Sequence, residues 1–232
     1  MKKIVVFTGS GVSAPSGLDT FRDEGGIWSR YRIEEVATPE AWQSDPGKVT
    51  EFYNLRRAQL ERVKPNPAHY AIAELEKKYD VTVVTQNVDD LHERGGSSRV
   101  LHLHGELCKA RSDKGGGDIL DIGYRKIELG ERHPDCSAGG VLRPHIVWFG
   151  EPVLGADEAV QVIRNCDIII VVGTSLQVYP AAGFVEEAPV SSDKYLVDLD
   201  SLEIPDGYTV LRGSADALLP ELVCRLLEEA DG

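Results

Sequence analysis

Short apolar runs recur along the chain, at Ile4-Val5-Val6-Phe7, Val81-Thr82-Val83-Val84, Val100-Leu101-His102-Leu103, Ile168 to Val172 and Tyr195-Leu196-Val197. Each is followed by small residues and then by helical periodicity, a rhythm that predicts a parallel sheet. Runs that stay apolar without alternation, such as Ile168 to Val172, are what strands need when helices cover both faces. Helices are predicted over 48–63, 67–79, 156–165, 180–187 and 215–229. Pro67 and Pro180 suit first-turn positions, where a missing N–H costs nothing, and Asp216 with Pro220 marks the last start less sharply. Two stretches interrupt the rhythm. Residues 23–66 pass through loop and helix without returning to an apolar strand, and residues 109–140 are Gly-rich, charged and almost without core residues. Both read as insertions that build a smaller lobe. The expected fold class is therefore α/β, a parallel sheet with helices on both faces plus that lobe.

The 232 residues suffice for one large domain or one domain carrying an insert, and 42% hydrophobic with 27% charged residues is a globular balance. Lys and Arg number 25 against 38 Asp and Glu, and the net charge of −13 repels nucleic-acid phosphate, so no nucleic-acid partner is expected. The same excess weakly favours basic partners such as lysine-rich peptides. Cys108, Cys136, Cys166 and Cys224 follow no disulfide framework, which suits a reducing compartment. After Met1-Lys2-Lys3 the apolar run is too short for a signal peptide, and no stretch reaches membrane-spanning length. A cytoplasmic protein without a membrane partner is expected.

Candidate chemistry gathers where strands end. Gly9-Ser10-Gly11-Val12-Ser13-Ala14 fits the G-x-G-x-x-G/A turn that brings backbone amides to a dinucleotide pyrophosphate, yet no second strand ending in a ribose-binding acid follows about 20 residues on. That combination suggests dinucleotide binding without hydride transfer. Gly173-Thr174-Ser175, at the carboxyl end of the most apolar strand, is equally readable as a ligand contact or as an ordinary strand-to-helix cap. In Thr85-Gln86-Asn87-Val88-Asp89-Asp90-Leu91-His92, the side chains of Gln86, Asn87 and Asp89 exceed what a turn needs and point to a site. His102 and His104 alternate along one strand. His104, at its end, is the candidate general base, and His102, deeper in, reads as a packed structural residue.

Taken in order, Gly9-Ser10-Gly11-Val12-Ser13 with Ser16-Gly17 and Phe21-Arg22, Thr85 to His92, His104-Gly105-Glu106-Leu107, Leu142-Arg143-Pro144, Phe149-Gly150-Glu151 and Gly173-Thr174-Ser175 resemble the sirtuin signature. The likeness runs from about residue 4 to residue 220. It implies a single domain, with a Rossmann-like large lobe of about 1–25, 81–107 and 145–232 and a small lobe of about 26–80 and 108–144. NAD and an acylated lysine of a protein substrate would meet between them. By the same resemblance Ser13, Phe21, Arg22, Gln86, Asn87 and Asp89 would surround the nicotinamide and its ribose, and Gly9, Gly11, Gly173, Thr174 and Ser175 would face phosphates and adenosine. His104 would act as base with Asn87 and Asp89 as catalytic partners, and Val147, Phe149, Gly150, Glu151 and Val178 would hold the peptide as an added strand.

The chain departs from the family pattern at Ser10, Asp19 and Asp198, where Ala, Pro and Asn are usual; an Asp198 carboxylate can still accept bonds from the adenine ribose. The larger departure is the missing pair of C-x-x-C motifs. Cys108, His133 and Cys136 offer three irregularly spaced ligands, so a small lobe without metal is expected. Tyr53 and Arg56, three apart and so on one helix face, resemble the Tyr-x-x-Arg of class III sirtuins, which binds the distal carboxylate of succinyl- or malonyl-lysine; Arg57 is expected to face elsewhere. The activity implied is NAD-dependent deacylation that releases nicotinamide and O-acyl-ADP-ribose. ADP-ribosyl transfer or NAD hydrolysis at the same site, and a noncatalytic NAD-responsive module, are the alternatives, and intact His104, Asn87 and Asp89 weigh against the last.

Overall fold

The computed structural model of the chain describes residues 1–19, 27, 30–135, 137, 139–199 and 207–231. The strands are β1 (Lys3–Thr8), β2 (Asp80–Thr85), β3 (Val100–His102), β4 (Gly105–Ser112), β5 (Leu120–Asp121), β6 (Leu142–Ile146), β7 (Ile168–Val172), β8 (Asp193–Asp198) and β9 (Thr209–Arg212). The helices are α1 (Ile33–Val36), α2 (Pro39–Ser44), α3 (Pro46–Arg62), α4 (Pro67–Glu74), α5 (Leu91–Gly95), α6 (Ala156–Arg164) and α7 (Ala215–Asp231). Six strands pair in parallel in the order β3-β2-β1-β7-β8-β9, and β5-β4-β6 form a small antiparallel sheet.

Alternation along each central strand feeds two cores. Ile4, Val6, Val81, Val83, Ile168 and Ile170 pack under α4 and α7 with Ala68, Ile72, Leu75, Leu219 and Leu222. On the opposite face Val5, Phe7, Val84, Ile169, Val171 and Leu196 meet Ala159 and Ile163 of α6. A third core joins the lobes, with Val36, Ala41, Val49, Phe52, Tyr53 and Leu60 of α1–α3 against Leu91, Leu107, Ile146 and Trp148.

Local signals set the helix starts. Thr38, Asp45 and Asn66 each accept an N-cap bond from the first turn that follows, with Pro39, Pro46 and Pro67 next in line. Four expectations are corrected. The 180–187 segment is a 3₁₀ run, Ala181–Glu187, not an α-helix. The 67–79 helix, expected in the small lobe, packs on the parallel sheet, because the apolar face of Ala68, Ala71, Ile72 and Leu75 matches that sheet; the lobe boundary at 80 moves to about 64. Residues 109–140 do have a core, built by Ala110, Ile122 and Ile127 with Leu142. β4, β5, β6 and β9 have no counterparts among the predicted strands.

β1 and β7 are adjacent, and the chain leaves them toward opposite sides of the sheet. This switch point opens a crevice at their carboxyl ends, where doubly wound sheets take ligands.

Candidate active site

The crevice floor is two glycine turns packed on each other. Gly9 N–H donates to the Val172 carbonyl (3.1 Å) and Gly11 N–H to the Gly173 carbonyl (2.8 Å). A Cβ on Gly9 would stand 2.7 Å from the Gly173 oxygen, and one on Gly173, whose φ is +62°, only 2.4 Å from the Val12 nitrogen. Glycine is thus required for the two turns to touch. Thr174 follows, buried, its hydroxyl accepting from Leu176 N–H and from Gln86 Nε2 (3.5 Å).

The end of β2 is tied to the same turns. Asn87 Nδ2 donates to the Gly9 carbonyl (3.0 Å) and to Ser13 Oγ (3.2 Å), and Ser13 Oγ donates to Asp89 Oδ2 (3.0 Å). Burial raises the Asp89 carboxyl above its ordinary range, against the bonds from Leu91 N–H and Ser13. Behind this row lie residues that sequence reasoning did not single out. His69 Nε2 reaches Ser13 Oγ at 3.5 Å and its Nδ1 accepts from Asn66 N–H, while the Asn66 side chain donates to the Val12 carbonyl and Ser16. His92 bonds Thr8, Thr8 bonds Thr85, and Thr85 accepts from Asn87 N–H. The imidazoles of His69 and His92 lie 4.9 Å apart, and burial drives His69 down to about 4 and His92 well below its ordinary value, so both are neutral at pH 7. Of this second row, the sequence marked only the start of the helix that carries His69, through Pro67, and the block that ends at His92.

His104 sits just past β3, in the turn before β4, and its Nδ1 lies 2.9 Å from the Gln86 carbonyl. A carbonyl only accepts, so Nδ1 carries the proton and Nε2 keeps a free lone pair, as a general base requires. Burial lowers the His104 pKa, which keeps that base form filled. His102 bonds the Asn87 carbonyl (3.0 Å) and Glu93 (2.8 Å), the structural placement expected of it.

A cleft of about 670 Å³ brings together Gly9, Gly11, Ser13, Gln86, Asn87, Asp89, His104, Gly173, Thr174, Ser175 and Asp198 with Tyr53, Arg56, Val147, Phe149, Gly150, Glu151 and Val178. Phe21 and Arg22 lie outside the described residues. Tyr53 is buried, and its hydroxyl accepts from Trp148 Nε1 (3.1 Å); burial pushes the phenol up to about 12, so it stays a neutral donor. Half-buried Arg56 stands beside it, its guanidinium 5.9 Å from the Phe52 ring centre. Arg57 does face elsewhere, but into protein: fully buried, it bonds the Arg125 and Tyr53 carbonyls and Asn54 Oδ1.

Glu151 lines the cleft, yet its carboxylate is saturated by Arg143 (2.8 and 3.0 Å), Arg111 (3.1 and 3.2 Å) and Trp148 N–H (2.8 Å). Its carboxylate thereby shapes the 147–151 turn. Val147, Phe149 and Gly150 keep their places at the rim, with Phe149 and Val178 exposed.

The chain matches the Sir2 family model over residues 9–180. It belongs to the Sir2 family, the sirtuins. It is 50% identical over 206 residues to an NAD-dependent protein deacylase of Bacteroides thetaiotaomicron, covering 85% of this chain and 86% of that one. A Helicobacter pylori (strain J99) NAD-dependent protein deacylase is 45% identical over 232 residues, covering 99% and 97%. A solved Sir2 homolog in complex with NAD superposes with a TM-score of 0.86 at 37% identity, over 99% of this chain and 91% of that one. The chain is a sirtuin enzyme.

The donor set of this sirtuin fits NAD. Glycine turns give the cleft room for phosphates, the hydroxyl and carboxylate groups of Thr174, Ser175 and Asp198 suit a ribose, and Gln86, Asn87, Asp89 and His104 line the same cleft. Metal ligands do not assemble in the same way. His133 bonds the Asp118 carbonyl (2.8 Å) and accepts from Asp135 N–H (3.2 Å), while the Cys108 thiol faces Asp90 and is pushed up to about 12 by burial and that carboxylate; Cys136 lies outside the described residues. Among the described residues Glu93, His102 and Glu106 form a group with donor atoms within 4.8 Å, but His102 pairs with Glu93 and Lys109 with Glu106, so the group neutralises itself.

Proposed function

We propose that this sirtuin is an NAD-dependent protein-lysine deacylase that removes succinyl and malonyl as well as acetyl groups, with nicotinamide and O-acyl-ADP-ribose as products. The observation that carries the acyl preference is the Tyr53 and Arg56 pair in the wall of the cleft that holds His104, Asn87 and Asp89. A guanidinium beside a neutral phenol offers charge-assisted and neutral donors to a carboxylate at the end of an acyl chain.

NAD, held by the glycine turns with Gln86, Asn87 and Asp89, would supply an electrophilic ribose carbon for the acyl oxygen, with nicotinamide as its leaving group. His104 Nε2 accepts a proton from a ribose hydroxyl, and its Nδ1–H bond to Gln86 keeps the ring aimed during the transfer. Asn87, clamped by Gly9 and Ser13, and Asp89, fixed by Ser13 and Leu91 N–H, hold the nicotinamide end and position water. Backbone groups around Val147, Phe149, Gly150 and Val178 pair with the substrate peptide as an added strand, and the net charge of −13 suits the basic surroundings of many lysines. Among the described residues no helix is long and apolar enough to cross a membrane.

The test is an acyl-peptide panel with NAD. Arg56→Met should depress desuccinylation relative to deacetylation by roughly ten- to a hundredfold, the value of about 1.5–3 kcal/mol for a charged hydrogen bond, with Tyr53→Phe weaker in the same direction. Exposed Arg62, on the same helix, is the control; Arg57 is unsuitable because its guanidinium holds the lobe together. Equal losses on both acyl groups would refute the acidic preference, and label transferred to protein without free lysine would replace deacylation by ADP-ribosyl transfer.

A further inference from the structure

The hydroxyl of Tyr53 is set by a side chain that lines the same cleft and shares its core. Trp148 is 2% exposed, with Trp42 against it at 5.8 Å between ring centres and the Arg143 guanidinium 3.2 Å over its face. Arg143 is itself held by Glu151 and the Ile146 carbonyl, and Trp148 N–H donates to Glu151, so the indole has no room to turn away. Its Nε1–H meets Tyr53 Oη at 3.1 Å. An indole can only donate. The phenol is therefore the acceptor in that bond, and its own hydrogen, for which no described residue supplies an acceptor, is left to the cleft.

We infer that Trp148 is a specificity-determining positioning residue: it orients the Tyr53 hydroxyl so that its hydrogen reaches the distal carboxylate of an acidic acyl group. An acetyl group offers that hydrogen no acceptor and leaves a buried donor unpaired, which is how a site built to hydrogen-bond rejects a shorter analogue. The inference rests on the acidic-acyl reading above and deepens it.

Trp148→Phe keeps an aromatic ring between Arg143 and Trp42 and removes the N–H. The ratio of kcat/KM for succinyl over acetyl peptide should fall roughly three- to tenfold, chiefly through KM for the succinyl substrate. In a Tyr53→Phe background the same substitution should leave the ratio where Tyr53→Phe put it, since the group that Trp148 orients is gone. No fall in the wild-type background, or an equal fall in both, overturns the proposal. Arg56→Met separates the two levels: a fall there with none for Trp148→Phe rejects the positioning role alone, whereas no fall in either rejects the acidic-acyl reading as well. Should Trp148→Phe fail to fold, 3-benzothienylalanine at 148, the same bicyclic shape with sulfur in place of N–H, takes the same measurements.

Discussion

Lowering the pH should loosen this protein from behind its active site, and His69 allows the size of the effect to be worked out. Its ring is completely buried, between Ser13 and the Asn66 N–H, and burial holds its pKa at about 4 against the ordinary 6.5. A group with a depressed folded pKa contributes stability that is whole above the unfolded value and is lost as pH falls toward the folded one. At pH 7 the imidazole is neutral in both states and the effect is nearly nil. At pH 5 the unfolded chain takes the proton and the folded protein still refuses it, which favours unfolding by about 2 kcal/mol, rising to about 3 kcal/mol near pH 4. His145, also held at about 4, adds a similar trend, so the His69 share must be isolated by substitution. His69→Gln is suitable because Gln at that helix position can still accept from the cap N–H. Urea unfolding followed by Trp fluorescence at pH 7 and pH 5 gives the stability loss for each protein. The loss between the two pH values should be smaller in His69→Gln by about 2 kcal/mol. Equal losses would show that His69 titrates normally in the folded chain and that the neutral second row is misread.

His104→Ala should cut deacylation by roughly 10²–10⁴ while NAD still binds, because a proton acceptor is removed without emptying a core; full activity would end its assignment as base. Because burial lowers its pKa, the acid limb of kcat/KM in the wild type should fall below the ordinary histidine value of 6.5, and a limb above that value would contradict it. Gly173→Ala, with its Cβ forced to 2.4 Å from Val12 N, should destabilise the fold by about 1–3 kcal/mol and weaken NAD binding measured by calorimetry; unchanged affinity would mean that the two turns can separate freely. Elemental analysis of purified protein should find well under one zinc per chain, and stoichiometric zinc would bring Cys108, His133 and Cys136 back as ligands.

The sequence alone was enough for whatever depends on neighbours along the chain. Apolar runs marked the parallel strands β1, β2, β7 and β8, Pro67 marked the start of α4, and the ordered blocks from Gly9 to Ser175 pointed to the residues that now line one cleft. What folding decided are pairings between distant residues. Gly11 and Gly173 need to be glycine because each occupies the space of the other's missing side chain, a fact no turn motif contains. Glu151 was named through the resemblance as a peptide contact, and only folding brings two arginines from strands β4 and β6 onto its carboxylate. Arg57 was expected only to face away from Tyr53 and Arg56, and it became a buried clamp once residues 125–127 lay across α3. His69 and Trp148 were not singled out, and His92 only closed the block that begins at Thr85. Their roles arise from a partner 56, 84 or 95 positions away. A side chain's type limits the bonds it can make, but burial removes water as the alternative partner, and only the assembled core determines which group takes water's place.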